Sequence, residues 1–122
     1  MKKITTTILI TFLAFNLNAQ LTNTKWKGTL NIEQGMDVIF NFRNDTLNVS
    51  AVESGEDLET MKYNATDSIL TLVKLFGQSQ CDSTPGKYKY AIENNELTLS
   101  LLSDPCNDRS GAIGTMTLKK ED

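Results

Sequence analysis

The sequence predicts an all-β protein, a single eight-stranded antiparallel up-and-down β-barrel with one short helical turn near residues 105–110. Apolar and polar residues alternate through most segments after residue 20, which is the period of a strand with one buried face. Clusters of turn-forming residues separate these segments at fairly even spacing, and no segment has a helical repeat long enough to cover a sheet. Such a meander hides its edges by pairing its first strand with its last, which favours a closed barrel.

The first 19 residues have the organisation of a secretory signal peptide. Lys2 and Lys3 precede a mainly apolar run that ends at Ala19, a small residue suited to cleavage. The run is short and rich in threonine compared with the roughly 20 apolar residues of a membrane span, so an uncleaved anchor is the less favoured alternative. No cysteine marks a lipoprotein cleavage site. We therefore predict a periplasmic or secreted protein whose barrel domain occupies residues 20–122, with no membrane span after cleavage.

The first three strands follow the signal peptide in close succession, and they are expected at residues 25–32, 36–43 and 47–52. In the first, Trp26 and Leu30 lie on the same apolar face, and in the second Phe40 and Phe42 do so. The pair Asn44-Asp45 tolerates the backbone conformation of a tight turn. These strands are predicted to form two consecutive hairpins.

The fourth and fifth strands are expected at residues 58–63 and 69–76, after an acidic loop. Met61 and Tyr63 should face inward in the fourth strand. The fifth has apolar residues at both parities, and we favour Leu70 and Leu72 as its inward pair. Residues 77–86 then form the longest polar connection.

The clearest hairpin lies in the last third of the chain. Two alternating runs flank the turn Asn94-Asn95, and their apolar members are Tyr88, Tyr90, Ile92, Leu97, Leu99 and Leu101. After the hairpin, Asp104 resembles a helix N-cap with Pro105 at the first helical position, and Gly111 would end the turn. The last strand is expected at residues 113–118.

The two cysteines, Cys81 and Cys106, predict a disulfide bond. The chain has no histidine to complete a metal site, and exported proteins keep cysteines oxidised. If the last hairpin pairs symmetrically about its turn, Cys106 falls opposite Ser83 and within reach of Cys81. The bond would then staple the open end of the hairpin.

Three segments together resemble the small exported lipocalin-like (calycin-type) β-barrel proteins of Bacteroidetes. They are Trp26 with Gly28 in the first strand, the hairpin GKYKYAIENNELTLSL, and the segment DPCNDR. The resemblance implies an antiparallel barrel with one open mouth and a small hydrophobic ligand. It also implies structural roles for Trp26 and Arg109, which would stack to close the bottom of the barrel. The chain departs from true lipocalins because Gly28 follows the tryptophan and because the chain is much shorter.

Several function classes are disfavoured by composition. Without histidine or a Gly-x-Ser-x-Gly motif, a nucleophile would have no base to activate it, so we predict neither an enzyme nor a cofactor. Asp104 with Asp108, and the acidic loop at 53–59, are interpreted as structural or solvated carboxylates rather than as catalytic or metal sites. Once Lys2 and Lys3 are removed, 10 basic residues face 15 acidic ones, which disfavours nucleic acid and anionic membranes as partners.

Two functions remain. In the first, the barrel mouth binds a small hydrophobic molecule. Tyrosine hydroxyls would lie at the wet mouth or meet a polar ligand group. The expected lining residues are Phe40, Phe42, Met61, Tyr63, Tyr88 and Tyr90. In the alternative, the barrel is filled by side chains and binds a protein partner through the loops at 53–59 and 77–85, as an inhibitor, immunity-like or envelope assembly factor would.

Overall fold

A computed structural model describes residues 20–122 as a closed barrel of eight antiparallel strands and one short helix. The strands are β1 (Thr24–Leu30), β2 (Met36–Phe42), β3 (Thr46–Ala51), β4 (Asp57–Thr66), β5 (Ile69–Gly77), β6 (Gly86–Glu93), β7 (Glu96–Ser103) and β8 (Thr115–Glu121), and α1 spans Asn107–Ile113. Each strand pairs with its neighbours in sequence, and β1 also pairs with β8. The predicted fold is confirmed. The predicted signal peptide lies outside the described residues.

The two ends of the barrel differ. One end, called the turn end, carries the short hairpins after β2, β4 and β6. Asn94 and Asn95 both have positive φ there, at 55° and 63°, so the predicted tight turn brings Glu93 directly opposite Glu96. The other end, called the helix end, carries longer connections and α1. Within residues 20–122 the longer connections and the helix thus lie together at the helix end.

The core fills the turn half of the barrel. Leu21, Phe42, Leu47 and Leu97 have no exposed surface, and Trp26 is 1% exposed. The predicted inward pair of β5, Leu70 and Leu72, is likewise fully buried, so that register is confirmed. Alternation along each strand thus delivers one apolar face to a common interior.

The helix differs from its prediction at both ends. It begins at Asn107 with Cys106 as its N-cap, and Asp104 is not the cap. Asp104 instead accepts the Cys106 N–H at 3.0 Å and forms an ion pair with Arg109. At the other end the helix passes through Gly111 and stops at Gly114, whose φ of 43° suits glycine. Ile113, expected in the last strand, consequently belongs to α1.

Leu101 was expected to face inward but is 42% exposed. Tyr88 pairs with Leu101 while Lys87 pairs with Ser103, so β7 holds one extra residue at this point. Such a bulge bends the strand and disrupts the ladder locally. The regular alternation of β7 therefore ends at Leu99.

Gly28 gives a first testable prediction, because it lies inside the barrel where β1 meets β8. A Cβ at this position would lie 2.8 Å from Leu118 Cγ and 3.0 Å from Met116 Cε. Gly28→Ala should therefore lower the free energy of unfolding by about 1–3 kcal/mol through overpacking, measured by urea titration. Gly111→Ala is the matched control: a Cβ there has no neighbour within 4 Å, and alanine favours the helix by about 0.5–1 kcal/mol. An equal free energy of unfolding for the parent and Gly28→Ala would contradict tight packing between Gly28 and β8.

A candidate ligand cavity at the helix end

The helix end of the barrel contains a cavity of about 250 Å³ that is open to the surface. Its apolar wall comes from β1 to β4 and from α1, and consists of Leu30, Phe40, Val49, Leu58, Met61 and Ile113. Phe40, Val49 and Met61 are at most 5% exposed, so the cavity reaches into the barrel. Ile32 and Met36 also line it and are 44% and 37% exposed, which places them at its rim. The cavity is thus apolar inside and reaches the surface on the β1–β2 side.

Three connections hold α1 over the cavity. The Asn31 N–H donates to the Ala112 carbonyl at 2.8 Å, and the Asn31 side-chain amide donates to Ile113 O at 3.1 Å. The Cys81–Cys106 disulfide, with a Cα–Cα distance of 5.4 Å, ties the start of the helix to the loop after β5. The predicted bond is therefore present, and it fixes one wall of the cavity as well as the end of the hairpin.

A polar strip on the β4–β5 side of the cavity is bonded internally. Glu59 accepts the Ser79 N–H at 3.1 Å and the Ser79 hydroxyl, and Lys74 Nζ lies 3.9 Å from Glu59 Oε2. Asp108, on the helix, accepts the Gln80 N–H at 2.7 Å. These carboxylates are already committed to protein donors.

Arg109 is the buried cation of the site. It projects from α1, lines the cavity, and has a side chain only 4% exposed. Its Nε donates to Asp104 Oδ2 at 2.6 Å, and Nη2 donates to Asp104 Oδ1 and to the Thr84 carbonyl, both at 2.9 Å. Tyr88 completes the cluster, donating its hydroxyl to Asp104 Oδ2 at 2.5 Å. Nη1 of Arg109 is also buried but has no partner in residues 20–122.

The protonation states of this cluster are fixed by its contacts. Burial alone raises the pKa of Asp104, but hydrogen bonds from Arg109, Tyr88 and the Cys106 N–H outweigh burial and hold that pKa below its ordinary value. Burial also disfavours the charged guanidinium, yet the bonds and charge of Asp104 keep the pKa of Arg109 above its ordinary value. Burial, together with the Asp104 bond, raises the pKa of Tyr88. The cluster is therefore a fixed ion pair with a neutral hydroxyl donor.

The cavity brings together two of the six residues expected to line a mouth, namely Phe40 and Met61. Phe42 packs edge-on against Tyr63 with ring centroids 5.0 Å apart, and Tyr63 donates its hydroxyl to the Arg43 carbonyl at 2.6 Å. Burial raises the pKa of Tyr63 and of Tyr90, and Tyr90 is 5% exposed. Tyr88 is engaged by Asp104. These four side chains belong to the packed core beside the cavity.

Trp26, Asp104 and Arg109 were expected to be structural, and each has a defined place. Trp26 is buried and donates its indole N–H to Thr24 Oγ1 at 2.8 Å. Arg109 is held by Asp104 and the Thr84 carbonyl, and within residues 20–122 no contact joins it to the tryptophan ring. The stack implied by the resemblance is thus replaced by an ion pair.

The cavity residues that the sequence interpretation did not place there include four on the helix, namely Asp108, Arg109, Ala112 and Ile113. Arg109 and Ile113 are four residues apart, so a helix places both on one face. The spacing of these two residues predicts a shared helix face, but only if the helix is extended to Ile113. Leu58 was also missed, since it was treated only as the start of β4.

Comparison of the chain with family models, with curated proteins and with solved structures found no match. Within residues 20–122 no helix has the length and apolar character needed to cross a membrane. The same residues bring together no group of three or more potential metal ligands. A function for this protein is therefore argued from the fold and the cavity.

Proposed function

We propose that this protein is an exported barrel that binds a small, mainly apolar molecule in the cavity beneath α1. The observation that carries the proposal is the apolar cavity wall formed by Phe40, Val49 and Met61. An apolar molecule bound there would remove this wall and its own surface from water, which favours binding by about 25 cal/mol per Å² of apolar area buried. Apolar pockets with a few placed polar groups are the usual form of small-molecule sites.

The size of the cavity limits the ligand. An engineered cavity of about 150 Å³ in another protein holds benzene, so a volume near 250 Å³ suits a molecule of roughly ten non-hydrogen atoms. Export is supported by the disulfide and by the signal-like residues 1–19, because structural disulfides persist in oxidising compartments. We place the protein in the periplasm or outside the cell.

Binding is favoured over catalysis by the charge states of the buried groups. Asp104 and Arg109 neutralise each other, and Tyr88 is held neutral, so none of the three is poised to exchange a proton near neutral pH. The chain also has no histidine. We therefore propose a binding protein without an enzymatic step.

The protein-interaction alternative has one observation in its favour. Leu75 and Phe76, at the end of β5, are 49% and 65% exposed, and they adjoin the loop at 77–85. Exposed apolar groups of this size occur at protein contacts. Gln78 and Ser79 of this loop also line the cavity, so a variant that blocks the cavity from α1 instead of from the loop separates the two functions.

The test is to fill the cavity from its wall and measure ligand binding. In Ala112→Phe, the larger side chain would occupy space now open beneath the helix. The parent chain should be stabilised by about 2.7 kcal/mol when 2-octanone or toluene is present at about 100 times its Kd, and Ala112→Phe should not. Thermal unfolding and native mass spectrometry of protein made in the periplasm measure both effects.

The matched control is Ala91→Phe, which makes the same change on the exposed outer face of β6. It should bind the probes like the parent chain. Equal stabilisation of Ala112→Phe and the parent, or no stabilisation of either by any apolar probe, would contradict the proposed function.

A further inference from the structure

The large hydrophobic side chains that are exposed within residues 20–122 all lie at the helix end of the barrel. On one side of this end, Ile32 follows β1, Met36 begins β2 and Val52 follows β3. Val52 is held beside Met36, because its N–H donates to the carbonyl of the next residue, Asp37, at 2.9 Å. These three side chains form a first exposed apolar group.

Two further apolar groups lie at the same end, on other strands. Leu75 and Phe76 are near the end of β5, and Leu101 and Leu102 are near the end of β7. Phe76 is 65% exposed and Leu102 is 53% exposed. Single exposed apolar residues are ordinary, but within the described chain none of this size lies at the turn end. Their confinement to one end indicates a surface that contacts another molecule.

The exposed charges of the helix end are of one sign. Four connections form this end, and they are residues 31–35, 52–56, 78–85 and 104–114. Their one cation, Arg109, is buried and paired with Asp104. Their exposed charged side chains are all carboxylates, namely Glu33, Glu53, Glu56, Asp82 and Asp108. None of these five carboxylates forms a salt bridge with a residue of the described chain.

The charges determine which occupant this face accepts. A second copy of the chain, docked end to end, would bring two sets of these carboxylates together, and an anionic lipid surface would be repelled in the same way. A neutral lipid surface would take water from the carboxylates without supplying a partner, which is costly. A partner that presents apolar side chains next to lysine or arginine complements both the apolar groups and the carboxylates.

We infer that the helix end is a docking face for a cationic amphipathic peptide segment of a partner protein. The apolar side chains of that segment pack on the exposed groups of β1 to β3, β5 and β7, and its cations pair with the carboxylates of the connections. This inference does not depend on the small-molecule function, because docking uses the outer surface of the helix end and not the interior of the cavity.

Fluorescence anisotropy with three labelled peptides and protein made in the periplasm tests the inference at low ionic strength. Acetyl-KLLKKLLKKLLK-amide carries both the positive charge and the apolar face, and it should bind. Acetyl-KSSKKSSKKSSK-amide keeps the charge but lacks leucine, and acetyl-ELLEELLEELLE-amide keeps leucine but reverses the charge. Each of these two should bind at least about 10-fold more weakly, because each lacks one of the two complementary features.

Three double variants locate the binding on the protein. Glu53→Gln/Glu56→Gln removes two charges from the helix end and should weaken binding of the lysine–leucine peptide about 3- to 10-fold. The matched control, Asp67→Asn/Glu93→Gln, removes two exposed charges from the turn end and should leave the affinity nearly unchanged. Phe76→Ser/Leu102→Ser removes exposed apolar surface and should weaken binding about 10-fold.

The opposing outcomes are distinct. Equal weakening by the helix-end and turn-end charge variants would show that binding follows overall charge, and it would overturn the docking face. Equal affinity for the lysine–serine and lysine–leucine peptides would overturn the role of the apolar groups, and failure of the lysine–leucine peptide to bind would overturn the inference as a whole. Sedimentation of the parent chain as a dimer that Phe76→Ser/Leu102→Ser dissociates would assign the face to a second copy. Co-sedimentation with phosphatidylcholine vesicles, lost in the same variant, would assign it to lipid.

Discussion

Asp104→Asn is expected to lower the free energy of unfolding by about 3–5 kcal/mol. The asparagine keeps the shape of the side chain but removes the charge that compensates Arg109, whose side chain is 4% exposed. A buried cation without a partner is among the most destabilising single changes. Urea titration of both proteins at neutral pH, with the slope m compared, measures the loss.

Two further variants show that the loss comes from the buried pair. Asp108→Asn makes the same chemical change four residues along, at an exposed carboxylate that accepts one backbone N–H at 2.7 Å. It should cost less than about 1 kcal/mol. In the double variant Asp104→Leu/Arg109→Met, both charges are gone, and much of the stability should return. A loss below about 1 kcal/mol for Asp104→Asn would contradict the importance of the pair.

The barrel could be predicted because the sequence patterns that specify its strands and turns are local. A strand with one buried face repeats its pattern every two residues, and this pattern is visible in Phe40 and Phe42 without knowledge of any partner strand. The turn at Asn94-Asn95 is equally local, since both residues tolerate the positive φ observed there. Register and closure then follow from pairing neighbours in order.

The site was predictable only in part because its contacts are not local. The Asp104-Pro105 pair has the form of a helix start, and nothing nearby shows that Asp104 instead meets Arg109 and Tyr88. Gly86 is an indirect sign of this arrangement. Any larger residue would clash, because a Cβ there would lie 2.3 Å from Asp104 Oδ2. A glycine at the start of a strand has other uses, so that signal could not be read from the chain alone.

Which inward residues border the cavity depends on how volumes fit together. Phe42 and Phe40 have the same parity on β2, yet Phe42 is packed against Tyr63 while Phe40 borders open space. Alternation assigns both to the interior and does not distinguish them. The division between filled and open halves of a barrel is a property of the assembled core.

Reduction of the Cys81–Cys106 bond is expected to lower the free energy of unfolding by about 3.5 kcal/mol. The two cysteines are 25 residues apart, and opening a loop of this length restores that much freedom to the unfolded chain in the entropy model. For a domain of this size, a loss of 2–4 kcal/mol corresponds to a fall of about 8–25 °C in Tm. Calorimetry before and after reduction measures the fall, and thiol titration in denaturant confirms the starting state. Two free thiols in untreated protein, or identical melting curves, would contradict a structural bond.

The bond should also act on the folded protein, because it ties α1 to the loop that carries Thr84. That loop supplies the carbonyl bonded to Arg109 Nη2 at 2.9 Å, and its Gln80 N–H is held by Asp108 on the helix. If the disulfide positions this wall, reduced protein that is still folded should bind 2-octanone more weakly than oxidised protein. If affinity is unchanged while Tm falls, the bond acts only through the unfolded chain, and the hydrogen bonds of Arg109 and Asp108 suffice to hold the helix over the cavity.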